Sequence, residues 1–342
     1  MNSTHKNVGE DVLPDISLIM PVYNGVDMIR KSLPPLLAMK GRREILEVTV
    51  VDDGSTDETV SVARSMGANV ITSGGRLGPG GARNIAAKSA QGNVLWFVDA
   101  DVVVYEDCAR VLQEAFRSGN AVAIFGSYDD KPLATNFLSQ YKNLVHHYYH
   151  QLSDTNASTF WSGCGAVRRK LFLQLGGFDV GQFKHPSIED IELGYRIVDA
   201  GEKVRLLPEL QCTHLKEWRF INLVHTEIFR RAIPWSRLIL SREKMETSLN
   251  VSVSERIRAV LAGVLLLCIT GAVAGAVSFA WPMIVGLITF LLNFKLAEVF
   301  FKRKGFFFCV GGLLFHQLYY LYSSAAFAWA LLERVWTGRI NE

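Results

Sequence analysis

The chain has 342 residues, 49% of them hydrophobic and 20% charged, with a formal net charge of +3. That balance is too weak to point to a nucleic-acid partner. Its 5 scattered cysteines form no CxxC or Cys/His cluster, which argues against a zinc site and against a disulfide framework.

Apolar residues are spread unevenly: residues 1–256 read as a soluble α/β protein, whereas residues 259–332 carry few and clustered charges. The polar stretch 1–13 lacks the apolar core of a cleaved secretory peptide, which predicts a catalytic part that stays in the cytosol. Residues 16–20 read as a first buried strand ending at Pro21. Residues 25–40 are helical in pattern, and Pro34-Pro35 should break or kink that helix. Residues 47–53 form a second strand ending in carboxylates, followed by the helix-start signature Ser55-Thr56-Asp57-Glu58. Residues 69–72 make a short third strand, and the glycine-rich loop 73–81 opens a helix at about Ala82. Residues 94–98 make a fourth strand that runs into Asp99-Ala100-Asp101. Strands alternating with helices imply an α/β, Rossmann-like and mostly parallel sheet. Such sheets bind ligands beyond their carboxyl ends. Tyr23-Asn24, Asp52-Asp53, the glycine-rich loop and Asp99/Asp101 therefore gather on one edge.

Further along, residues 134–152 look helical and aromatic-rich, residues 160–165 form a tight glycine-containing loop, and residues 188–194 open another helix. Residues 213–241 interleave Trp218, Phe220, Phe229 and Trp235 with Arg219, Arg230, Arg231 and Arg237. This is the pattern of an amphipathic helix on a membrane interface, kinked at Pro234; a core-packing helix is the plainer alternative. The long apolar run from 259 predicts three membrane helices, at about 259–280, 283–301 and 306–332, the first two turning at Trp281-Pro282. Lys295 and Glu298 fall inside the second and could pair one turn apart. The positive-inside rule puts Arg256/Arg258 and Lys302-Arg303-Lys304 on the cytosolic side, which sends residues 333–342 to the far side.

Several of these residues suit specific chemistry. Two carboxylates two residues apart at a strand end, Asp99 and Asp101, can both reach one divalent cation, Mg2+ or Mn2+, which would offset charge on a diphosphate. Asp52 and Asp53 can accept hydrogen bonds from a base or ribose. The same stretch also reads as a turn and helix cap, and a cap made by Ser55 or Thr56 would leave both aspartates free. Residues 78–84, Gly-Pro-Gly-Gly-Ala-Arg-Asn, are neither a phosphate-binding P-loop nor a dinucleotide fingerprint. Arg83 there reads equally as a phosphate or base contact and as an exposed loop arginine. Glu189 and Asp190 open a helix and are candidates for acid–base work on an acceptor hydroxyl, although on spacing alone they read as ordinary helix N-terminal charges.

Six motifs in order resemble glycosyltransferase family 2, which has the GT-A fold. They are Met20-Pro21-Val22-Tyr23-Asn24, residues 51–57 (VDDGSTD), Gly80-Gly81-Ala82-Arg83-Asn84, Phe97-Val98-Asp99-Ala100-Asp101, Gly176-Gly177-Phe178-Asp179 and residues 189–193 (EDIEL). The resemblance covers roughly residues 15–215. It implies that Pro21, Tyr23, Asn24 and Asp53 line a nucleoside pocket, and that Asp99 and Asp101 bind diphosphate and metal. It also implies that Asp190 is the general base of an inverting transfer and that Gly163, Cys164 and Gly165 face the donor sugar. His214 would stand where such enzymes place a metal- or diphosphate-binding histidine; a plain polar histidine is the alternative. The Gln-x-x-Arg-Trp motif of processive members is replaced by Arg230-Arg231-Ala232-Ile233-Pro234-Trp235, which favours single transfer.

The expected organisation is a polar tail (1–14), a GT-A domain (15–215), an interfacial helix and linker (216–256), three membrane helices (257–332) and a C-terminal tail (333–342). The expected function is metal-dependent hexosyl transfer from a nucleotide sugar, UDP-linked, to a membrane lipid or lipid-linked glycan of the cell envelope. The enzyme would sit at the inner membrane with its catalytic domain in the cytosol. A non-catalytic GT-A-like subunit of a polysaccharide assembly complex is the alternative, and intact Asp99, Asp101 and Asp190 argue against it.

Overall fold

The computed structural model describes residues 13–119, 121–183, 185–242 and 249–338; most of the polar tail 1–14 and the end of the C-terminal tail lie outside them. Strands β1 (Ile16–Val22), β2 (Glu47–Asp52), β3 (Asn69–Thr72) and β4 (Val94–Val98) alternate with helices α1 (Val26–Gly41), α2 (Thr59–Ser65) and α3 (Gly78–Ser89). Next come β5 (Val102–Val104), α4 (Cys108–Arg117), β6 (Ala123–Tyr128), α5 (Phe137–Leu152), β7 (Asn156–Ala157), β8 (Cys164–Arg168), α6 (Arg169–Gln174), α7 (Glu189–Asp199) and β9 (Val204–His214). The strands join in the order β3-β2-β1-β4-β8-β6-β9-β5, with β7 beside β9. The first four are parallel, so their carboxyl ends share one edge. Beyond β4 the sheet is mixed: β8 runs antiparallel to β4 and β6, and β9 runs parallel to β6. A sheet covered on both faces by helices needs apolar residues on both sides of each strand. Accordingly, Ile16, Leu18 and Met20 of β1 pack into one core with Leu33 and Leu36 of α1, while Ile19 packs into the other with Ala82 and Ala86 of α3.

Two local expectations are corrected. Helix α1 runs unbroken through Pro34 and Pro35. Both prolines lie away from the buried face formed by Ile29, Leu33, Leu36 and Met39, so the missing hydrogen bonds fall on the outer side, where helices tolerate them best. Helix α3 starts at Gly78, four residues before Ala82, because Pro79 in its first turn is pre-set for a helix start.

The region after β9 is helical but not one regular helix. Helix α8 (Phe220–His225), a π-helical stretch Thr226–Ala232 and α9 (Ile233–Ser241) follow one another, with Pro234 in the first turn of α9. Then come α10 (Val253–Val273), α11 (Ala280–Leu292) and α12 (Phe294–Thr337). Among the described residues, α10 alone is long and apolar enough to cross a membrane by itself; α11 and α12 reach that together, bent by 73° where they meet. The expected three spans differ in several respects. The first turn lies before Ala280, so Trp281 and Pro282 sit inside α11. The second expected span breaks after Leu292, leaving 13 residues, about 20 Å of helix against roughly 30 Å of hydrocarbon. Helix α12 breaks its backbone geometry at Gly305, where φ is +80°. Glu298 pairs with Lys302 at 2.6 Å rather than with Lys295.

The two ends of the last helical stretch are tied to different parts of the chain. Arg303 meets Asp130 at 2.5 Å, Glu333 takes a two-pronged contact from Arg237 of α9 at 2.8 and 2.9 Å, and Arg334 donates to the Leu240 carbonyl. The stretch packs along α5, the π-helical segment and α9, and Glu333 lies against α9. On the other face of that stretch Phe307, Leu314, Trp329 and Trp336 are exposed.

Candidate active site

The carboxyl edge of the sheet opens into a cleft of about 1280 Å³. Pro21 near the end of β1, Tyr23 and Asn24 just after it, Arg83 of α3, Asp99, Asp101 and Asp190 line its inner end. It continues past Lys142 of α5 and Arg231 of the π-helix to Phe327 and Leu331 of α12.

Asp99 and Asp101 occupy the bend between β4 and β5. The bend is fixed from both sides: the Asp99 N–H donates to the Gly163 carbonyl at 3.1 Å and the Leu215 N–H donates to the Asp101 carbonyl at 2.9 Å. Arg83, itself buried, is ion-paired with the Asp99 carboxylate. Burial pushes the Asp99 acid up; Arg83 opposes that, and the neighbouring charges of Asp101 and Asp190 add to it. Burial would raise Asp101 as well, but the closeness and charge of His214 and the charge of Lys216 outweigh it and hold the acid below the usual range. The antiparallel pairing of Val102 with His214 explains that closeness. His214 Nε2 lies 3.6 Å from Asp101 Oδ2, and its ring stacks on Tyr128 at 4.4 Å.

The sequence therefore brings Asp101 and His214 together, while Asp99 is committed to Arg83. Among the described residues no group of three or more His, Cys, Asp or Glu side chains forms a cage for a metal ion. An ionised carboxylate beside an imidazole, open on the cleft side, fits a hard divalent cation whose remaining positions are filled by phosphate oxygens.

Asp190 stands at the first turn of α7, facing the loop before β8. Its Oδ2 accepts from both the backbone N–H and the hydroxyl of Ser162, at 3.0 and 3.1 Å. The Ile191 N–H donates to Oδ1 at 2.9 Å, and these three donors together fix the carboxylate's direction. Glu189 is buried and accepts from the Ser187 N–H at 2.8 Å. Burial first, then the charge of Asp190, pushes its acid up. Of the two, Asp190 is the one with the geometry of a base.

Other expected residues stand elsewhere. The aspartates after β2 are not free. Asp52 accepts from the Ser55 N–H at 3.0 Å. Asp53 accepts from the Ser73 hydroxyl at 2.7 Å and from the Leu77 and Gly78 N–H groups at 2.9 Å each. Asp53 thus shapes the glycine-rich loop, because a backbone turning through positive φ at Gly74, Gly75 and Gly78 aims its N–H groups at one carboxylate. That loop carries Arg76, whose guanidinium lies over the Tyr23 ring at 3.5 Å. Cys164 is the first residue of β8 and points into the core, away from the cleft. Gly163 does line the cleft, and a Cβ there would come within 2.6 Å of the Trp161 indole.

Sequence reasoning passed over Ser162, Arg76, Lys142 and Lys216. Ser162 lay inside the tight loop already singled out. The lone Lys142 in an otherwise aromatic helix was a signal that could have been read.

Residues 17–176 match the family described as Glycosyl transferase family 2. The chain is 31% identical over 118 residues to the succinoglycan biosynthesis protein ExoO of Rhizobium meliloti, covering 33% of each. It is 29% identical over 125 residues to an uncharacterised glycosyltransferase of Haemophilus influenzae, 34% of this chain and 48% of that one. The chain thus spans a third to a half of these relatives' length. Among solved structures it is similar to the mannosyltransferase PcManGT of Pyrobaculum calidifontis, with TM-score 0.62 over 93% of this chain and 90% of that one at 19% identity. That likeness concerns the fold, which is GT-A-like.

Proposed function

From the match of residues 17–176 to the glycosyltransferase family 2 description, we propose that the chain moves a hexosyl group from a nucleotide sugar, UDP-linked, to a membrane lipid or lipid-linked glycan, with inversion. The observation that carries this reading is the uninterrupted cleft, which runs from Asp99 and Asp101 past Asp190 to apolar side chains of α12. Donor chemistry and an amphiphile's route thus share one cavity.

The nucleoside would lie by Pro21, Tyr23 and Asn24. Asp101 and His214, with Asp99 nearby, would hold Mg2+ or Mn2+. A bound divalent cation supplies positive charge against the diphosphate leaving group. The PcManGT structure contains GDP-Man and Mn2+. Arg83 keeps Asp99 in place, and Ser162 aims Asp190 into the cleft. The acceptor hydroxyl attacks the anomeric carbon and gives its proton to Asp190. The bond from that carbon to the diphosphate oxygen breaks, and the nucleoside diphosphate leaves with the electron pair.

We take residues 15–215 as the catalytic domain, facing the cytosol at the inner membrane. The attachment supported best is a hairpin of α10 and α11 dipping into the bilayer, with 306–337 lying in the interface. Purified protein with a panel of nucleotide sugars and Mn2+ should release a nucleoside diphosphate from one of them, and Asp101→Asn should lose that release while folding normally. A protein that binds and turns over none of them is better described as a non-catalytic subunit of an assembly complex.

A further inference from the structure

The wall of the cleft facing the carboxylates is cationic. Lys142 of α5 donates to Glu227 Oε2 at 2.7 Å, and Arg231 donates to Oε1 of the same carboxylate at 3.0 Å. The Glu227 and Lys142 side chains are 6% and 17% exposed. Two cations share one buried anion, so the group keeps a unit of positive charge at the cleft. Lys216, near Asp101, also lines the cleft. Buried charge is stable only when it is compensated. The backbone contributes too: Glu227 and Arg231 belong to a seven-residue π-helical stretch, and such departures from α-helix gather at functional sites. Farther out, the lining turns apolar with Trp235, Ile239, Val260, Phe327 and Leu331. A molecule entering from that end would meet a greasy channel first and the cations second.

We propose that Lys142 and Arg231, held in position by Glu227, form the acceptor subsite for a phosphate-class anion. In its lipid form the anion is the headgroup of an amphiphile whose chain lies along the apolar end of the cleft. Arginine and lysine offer several charged donors to a phosphate, arginine in a fixed fork. The assignment rests on the transferase reading and deepens it by naming the charge of the acceptor. Glu227 is a positioning residue here: it carries no proton in the reaction and sets the spacing of the two cations.

The test uses the full chain in a neutral detergent, with dodecyl phosphate, inorganic phosphate and dodecanol at equal concentration. A ligand that binds the native state raises its melting temperature. Dodecyl phosphate should stabilise the wild type and dodecanol should not. Arg231→Gln and Lys142→Gln should each weaken dodecyl phosphate binding about tenfold, the scale of one charge-assisted hydrogen bond. Arg231→Lys should recover part of the loss. All variants should keep the stabilisation given by the nucleotide sugar, which also shows that they are folded. If inorganic phosphate matches dodecyl phosphate and depends equally on Arg231, the anion subsite stands and its ligand is a soluble phosphate. Equal stabilisation by dodecanol, or undiminished binding by both Gln variants, overturns the proposal while the nucleotide response leaves the transferase reading intact. A wild type that no nucleotide sugar stabilises strikes that reading and takes the subsite with it.

Discussion

Asp101 and Asp190 have different neighbours, and that difference suits the different roles proposed for them. Asp101 sits by an imidazole and near Lys216, surroundings that favour a standing negative charge. Asp190 takes two donors from Ser162 on one oxygen and the Ile191 N–H on the other, and it lines the cleft. Asp190→Asn should therefore keep donor affinity and slow transfer by a factor of roughly 10² or more, the scale of general-base catalysis. Single-turnover kinetics on prebound donor will check this, and an unchanged rate would move the base elsewhere. Ser162→Ala should slow the same step less, because it removes only one of the three donors. The positions of Asp101 and Asp190 were legible in a strand end and a helix start, although spacing alone gives Asp190 no more than a helix N-terminal charge. The work of Asp53 was not, because its partners are mostly backbone N–H groups of a loop, and these leave no mark in residue type.

At the scale of elements, some of the motif residues turn out to be joints. Asn84 of α3 and Phe178 exchange two hydrogen bonds of 2.8 Å, so the Gly80–Asn84 and Gly176–Asp179 motifs lock α3 to the loop after α6. Gly177 must be glycine there: its φ is +75° and a Cβ would meet the Asn84 amide oxygen at 2.4 Å. A closer joint lies in α7, where a Cβ on Gly194 would come within 2.3 Å of the Phe160 backbone nitrogen. Backbone cannot step aside as a side chain can, so Gly194→Ala should destabilise the fold by about 1–3 kcal/mol, the usual cost of overpacking. It should also slow transfer, because the displaced segment leads directly into Ser162. Gly41→Ala, with nothing within 4 Å, is the control and should melt within a degree or two of the wild type. Strand positions were readable from short apolar runs ending in Pro, Asp or Gly. The π-helical stretch was not, since the apolar and basic residues of 220–241 fit an ordinary amphipathic helix equally well, and only packing against α5 and α12 selects the wider turn.

For the whole molecule, hydropathy located the apolar region but not its route. Composition marks a segment as lipid-compatible; it cannot say which helix has a partner along one side. Here the Arg303–Asp130 contact ties one end of the last helix to the α/β part, and the Arg237–Glu333 and Arg334–Leu240 contacts tie its other end to α9. A reporter fused after Glu342 should therefore read the same side as one fused before Met1; opposite sides would restore three spans. One more consequence follows from a cleft whose outer end is walled by helices with apolar outer faces. If the acceptor is the membrane lipid proposed above, it need never pass through water, and the enzyme would meet it by sideways diffusion within a film two molecules thick. The relevant concentration is then the acceptor's share of the film. At constant amounts of enzyme, acceptor and nucleotide sugar, adding an inert lipid or detergent should slow the reaction in proportion to surface dilution, while adding the same volume of buffer at fixed nucleotide-sugar concentration should leave the turnover per enzyme unchanged.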